Sequence, residues 1–114
     1  MVKEGWKKIG VVGVDSGQLM IVDPCYIDND WKKEEYNEKK NAKENFSYNA
    51  VCKKNNDGVR QINYEAGHKG LAVSFCSGFG DGVYEVYALF KKFDKMDMRI
   101  VEVRIKMIWG GIKW

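Results

Sequence analysis

Hydrophobic and β-branched residues alternate with polar residues along most of the chain. This period of two is typical of a β-strand that buries one face and exposes the other to water. Turn-forming sequences that contain Gly, Asn, Asp or Pro separate the alternating stretches. The pattern predicts strands at residues 9–14, 18–22, 46–53, 59–64, 71–76, 83–90 and 99–108.

Two of the connections have sequences that are typical of tight turns between antiparallel strands. Asp-Ser-Gly at residues 15–17 offers a side-chain acceptor and a residue that tolerates positive φ, so it predicts a hairpin between the first two strands. Asp-Gly at the end of residues 55–58 predicts a hairpin between the third and fourth strands. The second strand should end at Pro24, because proline lacks the N–H that a β-ladder needs.

The last three strands differ in how their apolar residues are distributed. The fifth carries Leu71, Val73 and Phe75 on one face, which predicts a half-buried strand. The sixth is apolar on both faces, and we expect it at the centre of a sheet. In the last strand, apolar residues from Val101 to Met107 alternate with charged ones, so one face should be core and the other should face water.

A charged segment at residues 30–45 interrupts the strand pattern. Asp30 is suited to an N-cap, and Glu34 and Glu35 fall in the first turns, where acidic side chains are favoured. We expect a short, solvated helical insertion here. The whole pattern predicts one mainly β domain over residues 1–114, an antiparallel small sandwich or open barrel with this helical insertion. An α+β sheet with the helix on one face is the alternative.

Composition narrows the class of protein. With 114 residues, 45% hydrophobic and 31% charged, the chain is long enough for one core without disulfide or metal support. No segment has the length and apolar character of a membrane span or a signal peptide. Cys25, Cys52 and Cys76 have no spacing typical of a zinc site or a disulfide framework. We therefore expect a cytoplasmic protein with no cofactor, no metal and no membrane contact.

Polar side chains and glycines are concentrated in the turns. The glycine-rich turn at residues 77–82 suits an anion bound by backbone N–H groups, and it also suits an ordinary connection between strands. We expect the turns to converge at one end of the sheet and to form a ligand-binding site, with no catalytic residue assigned. Its candidate residues are Asp15, Ser16, Gln18, Asp23, Cys25, Tyr26, His68, Ser77, Gly80, Asp81 and Tyr84.

The end of the chain combines positive charge with aromatic residues. In the last 24 residues seven Lys or Arg face three Asp or Glu, and Arg104 and Lys106 share the charged face of the last strand. Nucleic acid is nevertheless not expected as a partner, because no aromatic residues alternate with these cations as stacking platforms. Trp109 and Trp114 are expected either to cover the core or, with a slight preference, to join copies in a homo-oligomer.

Several motifs are similar to those of a known group of proteins. They are Asp-Ser-Gly-Gln-Leu and Asp-Pro-Cys-Tyr within residues 14–27, together with residues 46–49, residues 67–70, and Gly-Asp-Gly-x-Tyr-x-Val-Tyr within residues 78–87. The chain thereby resembles a group of small uncharacterised proteins encoded by phages, prophages and some bacteria. Glu85 departs from the pattern, in which Pro is expected. The resemblance implies a phage setting and the host cytoplasm as location, and it transfers no activity.

These observations leave three functions open. The first is a non-enzymatic phage-type protein that binds a small anionic ligand and sequesters a nucleotide-like signal in anti-defence. The second is a protein–protein interaction module that acts on a host protein through a sheet edge and the terminal tryptophans. The third is a small hydrolase that uses Cys25 or Asp81 with His68.

Overall fold

The computed structural model describes residues 3–33 and 46–107. The strands described there form two three-stranded antiparallel sheets, and neither closes into a barrel. The predicted class, mainly antiparallel β, is therefore confirmed. In chain order the elements are β1 (Gly5–Val14), β2 (Gln18–Val22), α1 (Cys25–Asn29), α2 (Tyr48–Val51), β3 (Val59–Asn63), β4 (Lys69–Cys76), β5 (Gly82–Asp94) and β6 (Asp97–Ile105).

The chain divides into two compact units. Unit 1 comprises Met1–Gly17 and Ser77–Trp114, and its sheet has the order β1-β5-β6. Unit 2 comprises Gln18–Cys76, and it contains both helices and a sheet with the order β2-β4-β3. The expectation of a single domain over residues 1–114 stays a prediction. No helix within the described ranges is long and apolar enough to cross a membrane.

In unit 1 the long strand β5 holds the sheet together. It pairs with β1 from Gly82 opposite Val14 to Phe90 opposite Gly5, and with β6 on its other side, so its predicted central position is confirmed. Its Tyr84 and Ala88 are fully buried. Both buried residues lie on one face of β5, whereas Val83 of the other face is 61% exposed, so the strand is paired on both edges but buried on one face.

Strand β6 differs from its prediction. Val101 and Val103 are 45% and 53% exposed, so the expectation that they belong to the core is wrong. One cause is that β6 is an edge strand, with a neighbour on one side in its sheet. The other is an irregularity in the β5–β6 pairing: Glu102 lies opposite Leu89 and Ile100 opposite Phe90, so Val101 is an extra residue in the ladder and interrupts the period of two.

The predicted hairpin between the first two strands is wrong. β1 pairs with β5, and β2 pairs with β4. The turn at residues 15–17 is instead hydrogen-bonded to the loop at residues 77–81. The Gly17 N–H donates to the Asp81 Oδ1 at 2.8 Å, and the Gly17 carbonyl accepts from the Ser77 N–H at 3.0 Å. A short glycine turn is thus compatible with strands that separate as well as with strands that pair.

The predicted strand at residues 46–53 is replaced by helix α2. Ser47 caps this helix, since its side chain accepts a hydrogen bond from the Ala50 N–H at 3.2 Å. Asn49, Ala50 and Val51 are buried. Without a strand there, β3 pairs with β4 rather than with residues 46–53, so the second predicted hairpin is also wrong. The core of unit 2 is formed by Phe46, Val51, Ile62, Leu71 and Ala72.

Strand β4 buries a different set of residues from the one its apolar pattern indicates. Leu71 is buried, but Val73 and Phe75 are half-buried, whereas Ala72 and Ser74 of the opposite face are buried. The Ser74 hydroxyl donates to the Val51 carbonyl at 3.2 Å, because α2 packs against this face. A small polar residue is buried at little cost when its hydroxyl has such a partner.

The helical insertion expected at residues 30–45 lies mostly outside the described residues. Where the structure describes it, the chain is not helical. Asp30 ends α1 as its C-cap instead of starting a helix, and its N–H donates to the Tyr26 carbonyl at 3.0 Å. Lys32 then bonds through its N–H to the Phe46 carbonyl at 2.9 Å. This bond holds the chain on either side of residues 34–45 together.

A substitution at Gly78 tests the packing of unit 1. A Cβ built on Gly78 would overlap the backbone of Met107, approaching its carbonyl carbon to 2.8 Å. We expect Gly78→Ala to lower the free energy of unfolding by about 1–3 kcal/mol, as overpacking against backbone typically does. Urea denaturation followed by circular dichroism measures this. Gly13→Ala is the matched control, because its Cβ meets nothing within 4 Å; equal losses in both variants would contradict the packing described here.

Candidate functional site

The predicted site residues of unit 1 lie in two loops that contact each other. Asp81 binds the Gly17 N–H through its carboxylate. The Ser77 hydroxyl and the Tyr84 hydroxyl both donate to the Gly80 carbonyl, at 2.8 Å and 2.7 Å. Gly80 has a φ of +93°, which only glycine adopts without strain. The polar groups of these loops therefore fix the backbone of the loops themselves.

This arrangement leaves little of the anion nest expected from the sequence. The N–H groups of Gly17, Ser77 and Gly80 donate to Asp81, to Gly17 and to Ser77 respectively, so they are occupied within unit 1. The Asp81 carboxylate at the same place adds a negative charge that repels an anion. Asp15 and Ser16 are exposed beside these loops. Structural support of the turn is the role that this geometry favours.

Gln18 and Asp23 also support backbone and side chains of unit 2. The Gln18 amide donates to the Cys52 Sγ at 3.1 Å, and the Lys54 ammonium donates to the Gln18 Oε1 and to the Val51 carbonyl. Burial lowers the pKa of the Lys54 ammonium. The Asp23 carboxylate accepts from the Cys25 N–H at 3.1 Å, at the start of α1. These contacts order the chain around the end of β2.

Cys25 lies in surroundings that are wrong for a nucleophile. Its pKa is raised above the usual value by desolvation and by the nearby carboxylates of Asp23 and Asp30. A catalytic thiol needs a lowered pKa, since the thiolate is the reactive form. The ring of His68 stacks on Tyr64, with centroids 4.4 Å apart. The surroundings of Cys25 thus give no support to a Cys-His hydrolase.

Tyr26 and His68 are the two predicted residues that the structure joins through a third residue, Tyr64. Tyr64 packs edge-on against Tyr26 with ring centroids 5.6 Å apart, and its hydroxyl lies 3.4 Å from the Tyr26 hydroxyl. The backbone fixes this position, because the Tyr64 N–H donates to the His68 carbonyl at 2.9 Å and closes the loop between β3 and β4. Gly67 in this loop has a φ of +99° and donates to the Tyr64 carbonyl.

The rings of Tyr26 and Tyr64, together with that of Phe46, line a cleft of about 760 Å³ in unit 2. This volume is in the range of small-molecule sites, about 300–1,000 Å³. Trp31 supports one wall by packing edge-on against Phe46 at 4.9 Å between centroids. The cleft is lined by Tyr26, Asp30, Lys32, Phe46, Asn63, Tyr64, Glu65, Ala66, Gly67 and Leu71.

Among the described residues, the charged groups that line the cleft are two carboxylates and one ammonium. Asp30 and Glu65 are exposed, and so is Lys32. The hydrogen bond with Tyr64 is the main cause that raises the pKa of Tyr26 to about 12, so its phenol is neutral at physiological pH. Aromatic rings and carboxylates together provide a surface that attracts a cation more than an anion.

Most of the cleft was missed by the sequence analysis. Tyr64 and Glu65 are adjacent in the chain but distant from Phe46 and Tyr26, and neither stands in a local motif that signals binding. The one available signal is that three segments used for the resemblance each contribute a lining residue: Tyr26, Phe46 and Gly67. Within the described residues, no three His, Cys, Asp or Glu side chains are grouped so that they could hold a metal ion.

Comparison with known proteins identifies a family without an assigned activity. Residues 3–104 match the model of DUF4241, a protein of unknown function. The chain belongs to the DUF4241 family. Searches of curated proteins and of solved structures returned no match. The function of this DUF4241 chain therefore has to be argued from its own residues.

The Tyr26–Tyr64 pair is tested by an alkaline titration. In the intact protein one phenol should ionise at a pH of about 12, and Tyr64→Phe should move this step toward the ordinary value of 10.0, because the hydrogen bond is lost. Phenolate absorbance measures both. Since the pKa is higher in the folded chain, the pair stabilises the fold below pH 10, and this contribution is lost as the pH rises from 10 to about 12.

Tyr26→Phe is the control for this titration. It should remove the step at a pH of about 12, because the Tyr26 phenol is then absent. The Tyr87 phenol keeps the raised pKa that its hydrogen bond with Glu85 causes. A step near pH 12 that persists in Tyr26→Phe would show that another tyrosine ionises there. An unchanged step in Tyr64→Phe would show that the two hydroxyls do not interact in solution.

Proposed function

We propose that this DUF4241 chain is a non-enzymatic protein that binds a small organic ligand in the cleft of unit 2. The observation that carries the proposal is the cleft itself, which combines three aromatic rings, an amide and charged groups in a volume suited to a small molecule. The neutral Tyr26 phenol and the raised pKa of Cys25 fit binding better than acid–base or nucleophilic chemistry.

The charges of the lining favour a ligand with a positively charged nitrogen. In the described part of the lining, Asp30 and Glu65 offer two carboxylates, and Lys32 offers one ammonium. Tyr26, Tyr64 and Phe46 offer ring faces or edges that attract an ammonium or guanidinium group. Among the described lining residues, an anionic, nucleotide-like ligand, as the sequence suggested, finds one cation for its phosphate, Lys32. We therefore favour the cationic class.

The biological setting is a further part of the proposal. The resemblance to phage and prophage proteins suggests that the chain acts in the cytoplasm of a bacterial host, where sequestration of a small molecule is a function that needs no catalysis. Anti-defence remains a prediction that rests on this resemblance. Homo-oligomerisation through Trp109 and Trp114 also stays a prediction, since both residues lie outside the described ranges.

Ligand binding is tested by thermal shift and calorimetry with two panels of compounds. The cationic panel contains choline, arginine and spermidine, and the anionic panel contains AMP and a cyclic dinucleotide. We expect a rise in Tm with a member of the cationic panel. Glu65→Gln should weaken its binding about three- to tenfold, because one of two attracting charges is lost.

Two variants control this experiment. Asp57→Asn removes the same charge from the turn before β3, which does not line the cleft, and it should leave the affinity unchanged. Lys32→Gln should strengthen binding of a cation. If an anionic compound binds instead and Lys32→Gln abolishes it, the ligand class proposed here is wrong. If neither panel binds, the binding function itself is rejected.

A further inference from the structure

We infer that the charged face of the sheet in unit 1 binds single-stranded nucleic acid. This inference rests on unit 1 alone and is independent of the ligand cleft. The pairing partners of β5 define the face, because residues opposite each other in antiparallel strands point to the same side. From the register, this charged face carries Trp6, Lys8, Val11, Gly13, Val83, Glu85, Tyr87, Leu89, Lys91, Arg99, Glu102 and Arg104, and Lys106 extends it past the end of β6. Arg99 is ion-paired with Asp97 at 3.0 Å, so the other cations are the ones available to a ligand.

Cations and aromatic rings meet on this face. The Arg104 guanidinium lies over the Trp6 ring, 4.2 Å from its centroid, and the Lys106 ammonium lies 4.7 Å from the Tyr87 centroid. Nucleic acid was not expected because no aromatic residue alternates with the cations along β6. The structure supplies those rings from neighbouring strands, Trp6 from β1 and Tyr87 from β5. A pattern within one strand cannot reveal such a surface.

The Trp6–Arg104 pair is the centre of the surface. Trp6 is 40% exposed and the Arg104 side chain 64% exposed, so both are accessible. A guanidinium plane and an indole ring are the two kinds of surface on which unpaired bases stack. Glu102 accepts from the Arg104 Nε at 3.1 Å, which holds the guanidinium in place and uses one of its five N–H donors.

The electrostatics of unit 1 suit a phosphate backbone. Unit 1 carries ten Lys or Arg against seven Asp or Glu, whereas unit 2 carries nine of each, so the net charge of +3 belongs to unit 1. On the face itself, Lys8 and Lys106 flank Glu85. Their charges and the hydrogen bond from the Tyr87 hydroxyl lower the pKa of that carboxyl, with the hydrogen bond as the larger cause. The cations thus offset the carboxylate they surround.

Single strands are favoured over a duplex because stacking needs unpaired bases. A duplex or a polysaccharide such as heparin offers phosphate or sulfate groups to the cations but no free base to Trp6. The preference for a single strand is therefore the property that separates this proposal from general attraction between a basic protein and any polyanion.

The experiment is fluorescence anisotropy with labelled single-stranded RNA and DNA of about twelve nucleotides, at about 50 and 200 mM salt. Trp6→Leu and Arg104→Lys should each weaken binding roughly tenfold, because stacking is lost while the charge of Arg104 is kept in the second variant. Lys106→Gln should reduce the slope of log Kd against log salt by about one.

Lys92→Gln is the matched control, since Lys92 of β5 pairs with Met98 of β6 on the opposite face of the same sheet. It removes the same charge as Lys106→Gln and should reduce binding less. Circular dichroism checks the fold of each variant, and Arg104→Lys decides the question if Trp6→Leu does not fold.

Three outcomes would overturn the inference: no binding by the intact protein, binding to duplex or heparin as tight as to single strands, or equal losses in Lys92→Gln and Lys106→Gln. The proposed function of the cleft in unit 2 is tested separately, by binding of the two panels of compounds. A negative result there leaves the nucleic-acid measurement unaffected.

Discussion

The pairing of β1 with β5 is the interaction on which unit 1 depends. It joins the start of the chain to residues 68 to 85 positions later, from Val14 opposite Gly82 to Gly5 opposite Phe90. This pairing brings Trp6 within reach of Arg104 and brings Gly17 to Asp81. Such long-range contacts carry a large loop-closure cost, which the chain recovers through a long ladder of hydrogen bonds and the burial of Tyr84 and Ala88.

In unit 2, Tyr64 is the residue on which the packing depends. Its backbone closes the loop between β3 and β4, and its side chain contacts Tyr26 on one side and His68 on another. The aromatic cluster therefore packs the elements of the unit and forms a wall of its cleft at the same time. Residues that carry both roles are hard to replace without loss of fold, whereas the charged side chains at the rim of the cleft are exposed.

The two proposed binding surfaces follow different physical principles. The cleft of unit 2 is concave, with carboxylates exceeding ammonium groups, and it suits a small cationic molecule. The face of unit 1 is an exposed sheet surface with rings and cations from three strands, and it suits an extended polyanion. The two surfaces therefore attract ligands of opposite charge. Unit 1 carries the net charge of +3, and unit 2 has as many basic as acidic residues.

The sequence by itself determined the class of the fold and the positions of most strands, because a period of two and its interrupting turns are local properties. It also predicted that the second strand stops at Asp23-Pro24, and β2 ends at Val22; it predicted β5 as a central strand. Only the tertiary structure decided which strands pair, that Ser47 starts a helix, and where the bulge in β6 shifts the alternation. The candidate sites too were decided by the tertiary structure. Tyr26 was predicted from the sequence, but its contact with Tyr64 and the contact of Trp6 with Arg104 join residues that are distant in sequence. No local pattern encodes such contacts, and the same holds for Phe46 in the cleft.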